Sequence, residues 1–200
     1  MRGVGPVLAK AKSQGRAALV GYLPVGYPDV RGSIDAMVAM VEAGVDIVEI
    51  GVPYTDPLMD GPVIQHAADV ALKGGTRLRD IFTAVRAVAD TGAPALVMTY
   101  WNPVLRYGVD RFADDLATAG GAGLTTPDLI PDEGLEWIAS AERGALAYVF
   151  PVAPRTSRDR LPTPAAGARA CPSPPMTLGA PGERAPAEDS ADALVARPAP

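Results

Sequence analysis

Two carboxylates a short loop apart are the residues of this chain best suited to acid and base chemistry. Glu49 lies in the run VDIVEIGV, residues 45–52, where alternation puts Ile47, Glu49 and Gly51 on one face of a strand and Val48 and Ile50 on the other. If that strand belongs to a barrel, a carboxylate near its C-terminal end points toward the mouth, where such folds keep their active sites. Desolvation there raises its pKa and lets it both give and take a proton near neutrality. Without a partner in view, a buried Glu held by an Arg for structural reasons explains the position equally well. The next segment, PYTDPLMDGP at 53–62, carries Asp56, Asp60 and three prolines. Singly, each Asp is a turn former. Together with a strand carboxylate, a stiff acidic loop can hold two acid/base groups on opposite sides of a small substrate. His66, the only histidine, follows Gln65 at a helix position where a solvated or capping side chain is the ordinary reading.

Such a pair must be positioned by regular elements, and two kinds of segment alternate along the chain. Runs rich in Val, Ile, Leu and Tyr at Ala17–Leu23, Val45–Val52, Ala95–Tyr100, Gly121–Thr126 and Ala145–Val152 predict five strands. Between them, Ile34, Met37, Val38 and Val41 fall at helical spacing, with Ser33 as the expected N-cap and Gly44 as the C-terminal stop. Leu78, Ile81, Phe82 and Val85 repeat the pattern before Gly92. Helices are also expected at Pro62–Lys73, about Asp110–Ala119 and Asp132–Arg143, each closed by glycine. Strand and helix in alternation imply a parallel sheet with right-handed crossovers, and strands apolar nearly throughout imply that both faces are covered. Periodicity leaves a doubly wound open sheet and a (β/α)8 barrel both open. The first βα turn lacks the glycine fingerprint of a dinucleotide site.

Composition removes several function classes. With 200 residues, 48% hydrophobic and 20% charged, the chain suits one packed domain. A net charge of −5 offers nothing to a phosphate backbone or an anionic membrane. No apolar run is long enough to span a bilayer. Cys171 is the only cysteine and residues 1–16 hold no secretion signal, so a cytoplasmic location is expected. The 21 prolines crowd toward the end, and Phe, Tyr, Trp and Ile are absent after Leu161. Such a segment cannot bury enough apolar surface to offset its chain entropy. The expected division is an ordered part, 1–161, and a disordered Pro/Ala-rich tail, 162–200.

The segment from Glu49 to Gln65, EIGVPYTDPLMDGPVIQ, resembles the signature of the tryptophan synthase alpha subunit family. Further pieces agree in order: GYLPVGYPD at 21–29, MTYWNPV at 98–104, TPDL at 126–129 and VAP at 152–154. The resemblance covers residues 10–161. It implies a TIM barrel, and a lyase that cleaves indole-3-glycerol phosphate to indole and glyceraldehyde 3-phosphate. It also implies catalytic roles for two residues: Glu49 would shuttle protons between the indole C3 and the glycerol hydroxyl, and Asp60 would stabilise positive charge at the indole nitrogen. Tyr22, Met98, Tyr100 and Thr125 match positions lining the indole pocket. No metal or organic cofactor is implied for this chain. Pyridoxal phosphate belongs to the beta subunit, the partner that receives indole in an alpha2beta2 heterotetramer.

The sequence also departs from the family. Pro151 falls inside the expected fifth strand, and position 125 is Thr in a run that is otherwise aliphatic. A complete barrel has eight strands, yet no sixth strand is visible after Leu161, where the composition resembles a gene read out of frame. The expectation is therefore an incomplete barrel of about five βα units, inactive as it stands. The alternative function is a non-catalytic, truncated remnant that at most binds a beta subunit.

Overall fold

The computed structural model describes residues 3–57 and 59–149. Five short segments form one parallel sheet: β1 (Val20–Pro24), β2 (Ile47–Gly51), β3 (Ala95–Met98), β4 (Gly123–Thr125) and β5 (Ala147–Val149). They lie side by side in chain order, β1 to β5. This order decides between the two architectures left open by periodicity, because a doubly wound sheet turns back on itself at a switch point and this one never does. Repeated right-handed crossovers in one direction put the helices on one face and curl the other inward. The fold is α/β: the described residues supply five strands and four complete βα units of a (β/α)8 barrel.

The helices are α1 (Val4–Ser13), α2 (Val30–Glu42), α3 (Pro62–Lys73), α4 (Leu78–Asp90), α5 (Trp101–Tyr107), α6 (Val109–Thr118) and α7 (Leu135–Arg143). Their apolar faces meet the outer face of the sheet. Val48, Ile50, Val97 and Leu124 pack in one cluster with Met37, Ile81, Phe112 and Trp137. On the opposite face a smaller cluster of Val4, Ile47, Leu96 and Ala122 lets α1 cover one end of the inner surface. Alternation from Ile47 and Leu96 puts Glu49, Gly51 and Met98 on that same inner face, nearer the C-terminal end.

The first four strands are each shorter than the sequence reading made them, and β5 is described only as far as Val149. Helix starts moved for identifiable reasons. Asp29, not Ser33, caps α2, its Oδ1 accepting from Gly32 N at 2.7 Å. Ser33 is instead fully buried inside the first turn, donating to Val30 O at 2.8 Å and accepting from Gly26 N at 2.9 Å. It thereby ties the β1α2 loop to the helix. The start of α7 slips from Asp132 to Leu135 because Glu133 and Gly134 close tight turns onto Ile130 O and Pro131 O. The sequence reading contained neither α1 nor α5. Pro151, Cys171, the 161/162 division and the tail at 162–200 lie outside the described residues.

Several helix ends follow one pattern. After α2, α3 and α6, a glycine at positive φ donates back into the last turn, and the next residue closes the longer bond characteristic of a Schellman motif. In α7 the same bonds form, Ala145 N to Glu142 O at 3.2 Å and Leu146 N to Ala141 O at 2.8 Å. There the left-handed position, φ 52°, is occupied by Ala145 rather than glycine.

Candidate active site

Glu49 sits on β2 between Tyr22 of β1 and Leu96 of β3 in the register of the sheet. Its carboxyl is largely buried, and that burial pushes its pKa up; the Thr125 hydroxyl on β4 acts in the opposite direction. Among the described residues no basic side chain contributes to that balance, so none of them supplies the structural alternative of a Glu held by an Arg.

Gly51 explains how Tyr22 fits beside it. A Cβ at Gly51 would collide with the Tyr22 hydroxyl and would lie 2.8 Å from its Cζ. The bare Cα is the space in which the phenol lies. Burial, then the charges of Asp60 and Glu49, then Tyr100, all raise the Tyr22 pKa far above its ordinary value, so the phenol remains a neutral donor. Tyr22 beside Glu49 in the register, and Tyr100 bonded to Met59 N next to Asp60, gather these four residues at the C-terminal end of the strands.

Asp60 reaches that space from the loop between β2 and α3. The loop is fastened at several points: Asp60 N donates to Pro57 O at 3.2 Å, Gln65 Nε2 donates to Asp60 O at 2.8 Å, and Met59 N donates to the Tyr100 hydroxyl at 2.8 Å. Asp60 Oδ1 is buried without a hydrogen-bond partner, and burial raises the pKa of its carboxyl. An unsatisfied buried carboxylate oxygen is costly unless a ligand donor completes it. Asp56, four residues earlier, is exposed and accepts from the neighbouring Thr55 hydroxyl at 2.6 Å.

A second strap joins the same loop to the start of α5. The Tyr54 and Tyr100 rings lie 5.3 Å apart, and Asn102 Nδ2 donates to the Tyr54 hydroxyl at 3.0 Å. Asp128, from the loop after β4, accepts from Trp101 N through both oxygens at 2.9 and 3.0 Å. Met98 is half-buried at the end of β3, beside Gly51 on one side and Thr125 on the other. All six residues expected at a site from the sequence therefore converge on one end of the sheet. His66 stays apart, exposed on α3 with its ring edge toward Tyr27 at 6.2 Å.

The sequence reading did not single out Gly51, Tyr54, Asn102 and Gln65 as functional. Gly51 carried a signal, since alternation set it on the face of Glu49. Contacts of Tyr54 with Asn102, 48 residues away, leave no trace in spacing. Among the described residues no cluster of His, Cys, Asp or Glu could hold a metal ion, and no helix is long and apolar enough to cross a membrane.

The family model for the tryptophan synthase alpha chain matches residues 8–197. The chain belongs to the tryptophan synthase alpha chain family. The match runs past Leu161, where the motif reading ended the resemblance, so the likeness extends further along the chain than the motifs alone indicated. The tryptophan synthase alpha chain of Mycobacterium marinum is 53% identical over 194 residues, covering 97% of this chain and 72% of that protein. The alpha chain of Mycobacterium tuberculosis is 52% identical with the same coverage. Among solved structures, the aminoacrylate-bound tryptophan synthase of M. tuberculosis superposes with a TM-score of 0.81 at 56% identity, covering 83% of this chain and 68% of that one. The tryptophan synthase alpha2beta2 complex of Pyrococcus furiosus gives 0.72 at 30% identity, over 76% and 63%. The family is that of TIM-barrel lyases of tryptophan biosynthesis, and the five parallel strands in sequence order are the corresponding portion of that barrel.

Proposed function

We propose that this chain cleaves the carbon–carbon bond of indole-3-glycerol phosphate, releasing indole and glyceraldehyde 3-phosphate, with Glu49 and Asp60 as its catalytic carboxylates. The observation that carries this reading is the placing of two acids, both with pKa raised by burial, around one space roofed by Tyr22 and Tyr100. The reaction needs a proton delivered to the indole C3, so that the ring can leave with the bonding electrons, and a proton removed from the glycerol hydroxyl that becomes the aldehyde. A single carboxyl whose pKa burial has raised can do both in turn, and Glu49 is that group. Protonation at C3 leaves positive charge on the ring nitrogen. Asp60, with one buried oxygen lacking a donor, supplies the acceptor for that N–H. Tyr22, Met98, Tyr100 and Thr125 line the space that the indole ring fills.

None of these steps calls on a metal or an organic cofactor. Pyridoxal phosphate belongs to the beta subunit, the partner that takes up the indole, and an alpha2beta2 assembly is the arrangement in the P. furiosus relative. The test is to mix the 200-residue chain with a beta subunit and follow indole release from indole-3-glycerol phosphate. Indole release supports the lyase reading. A change in beta-subunit activity with no indole formed would replace it with the non-catalytic, partner-binding alternative.

A further inference from the structure

Asp60 joins α3 through a single glycine. Gly61 stands at the N-cap with φ −74° and ψ 167° and offers no side chain to close the helix end, and Pro62 begins the helix itself. Glycine has the widest choice of backbone angles, so this junction by itself leaves the direction of Asp60 relative to α3 open. One side chain spans it. Gln65, exposed on the first turn of α3, turns back over Gly61 and donates from Nε2 to Asp60 O at 2.8 Å, while its own N–H makes the first helical bond to Gly61 O at 2.9 Å. Four successive peptide units then carry one bond each: Met59 N donates to the Tyr100 hydroxyl at 2.8 Å, Asp60 N donates to Pro57 O at 3.2 Å, and the carbonyls of Asp60 and Gly61 both accept from Gln65. Because each unit is planar, the backbone around Asp60 is held from both sides.

We propose that Gln65 is a positioning residue for Asp60: by bridging Gly61 it ties the Asp60 carbonyl to the rigid start of α3, and so keeps the carboxyl turned into the pocket without itself touching the substrate. The carboxyl needs such help, because its Oδ1 is buried without a hydrogen-bond partner and its aim is inherited from the backbone. Stability does not account for the Gln65 bond. It lies in an exposed setting, where a carbonyl left free would bond to water at little cost. A rotation at Gly61 would carry the carboxyl toward solvent, and Gln65 acts against that rotation. Tyr100 cannot take its place, because it holds the chain at Met59, on the other side of Asp60.

The effect on turnover rests on the lyase reading, but the orientation of Asp60 does not, and the experiment separates the two. The full chain is labelled with carboxyl-13C aspartate, and Asp60 is assigned by its absence in Asp60→Asn. Its titration is followed in the parent and in Gln65→Met, which keeps the length of the side chain and loses the amide. Burial raises the Asp60 pKa, so a carboxyl released toward water should titrate lower, and the expected result is a downward shift of the midpoint in Gln65→Met. The ionisable side chains that sense the Asp60 charge, Tyr22 from β1 and Tyr100 from the end of β3, stay neutral over that range, and Glu49 is common to both proteins. In the presence of a beta subunit, kcat for indole release should fall by about 3- to 10-fold with KM little changed, the size expected for one exposed hydrogen bond. Gln65→Glu separates aim from helix stability: a carboxylate in the first turn favours the helix but cannot donate, so Tm should hold or rise while kcat falls as in Gln65→Met. An unmoved Asp60 midpoint in Gln65→Met, a parent-like kcat in both variants, a loss confined to KM, or a kcat that merely follows Tm overturns the proposal. A shifted midpoint with no indole released by parent or variant would leave the positioning of Asp60 standing and remove the lyase reading.

Discussion

The space Gly51 leaves for Tyr22 makes Gly51→Ala an informative perturbation. The new methyl would overlap the Tyr22 hydroxyl and stand 2.8 Å from Cζ and 3.0 Å from Cε2, where carbon atoms ordinarily approach to about 3.5–4.0 Å. Relief requires the phenol to retreat by about 0.5–1 Å, since β2 is fixed in the ladder between β1 and β3. Overpacking of this size costs about 1–3 kcal/mol of stability. Its effect on turnover is expected to be larger, because a displacement of about 1 Å at a reacting centre can cost about 10²-fold. We predict a fall of about 10- to 100-fold in kcat/KM for indole release, with a lowered Tm. Adding Tyr22→Phe removes the closest overlap, so the double variant should recover part of both losses, with a coupling of about 0.5–3 kcal/mol in thermal or urea unfolding. Wild-type turnover in Gly51→Ala, or strictly additive effects of the two changes, would refute the claim that Gly51 exists to seat Tyr22.

Three further outcomes are expected. Ala145→Gly should stabilise the protein, because Ala145 occupies a left-handed position at φ 52° that costs a non-glycine residue about 1–2 kcal/mol, partly offset by the greater entropy of unfolded glycine. A net gain of about 0.5–1 kcal/mol should raise Tm by about 1–4 °C in calorimetry, and a lower Tm would contradict the assignment of strain there. Asp46 is held by both Arg16 guanidinium nitrogens, at 2.6 and 2.8 Å, and by Leu19 N at 2.8 Å, which bring its pKa down to about 2. Its folded value lies below the unfolded value of about 3.9, so the stability it lends is present above pH 4 and lost as pH falls from about 4 to about 2. Asp46→Asn should flatten the acid limb of a stability-versus-pH curve in that window, and an unchanged limb would remove Asp46 from the account. Asp60→Asn should abolish most indole release while Asp56→Asn is milder, since only Asp60 is turned into the pocket; equal losses would mean that the loop acts as a scaffold alone.

Much of the site was legible in the sequence because strand periodicity is local. Alternation through Ile47, Glu49 and Gly51 put a carboxylate and a bare position on one face, and the register bears this out. The prolines and acids of 53–62 announced a stiff loop, though not what fastens it. The Met59 to Tyr100 and Tyr54 to Asn102 bonds join residues 41 and 48 apart, and such contacts depend on the strands being adjacent. Strand order is likewise a long-range property, which is why periodicity could not choose between an open doubly wound sheet and a barrel.

Among the helices, the misses have distinct causes. Ser33 and Asp29 are both good N-caps by type, and the buried hydrogen bond from Gly26 N settled which hydroxyl or carboxylate was free to cap. In α1, only Val4 and Ala11 are buried, seven residues apart, too sparse a stripe to stand out. In α5, only seven residues long, Pro103 lies in the first turn, where proline needs no intrahelical donor, and so short a segment leaves little periodicity to read.

The central claim is that Glu49 moves the proton, and replacing it with Gln while keeping the full chain and a beta subunit tests this most directly. Gln preserves the shape and most hydrogen bonding but cannot cycle a proton at neutral pH. Burial has raised the Glu49 pKa, so the folded state binds a proton more readily than the unfolded state, and the residue's contribution to stability falls as pH rises from its unfolded value toward its folded one. Glu49→Gln should therefore be at least as stable as the parent at pH 7. Its kcat for indole release should fall by about 10² or more with KM little changed. A kcat within a few-fold of the parent, in a variant that folds as well, would contradict the account.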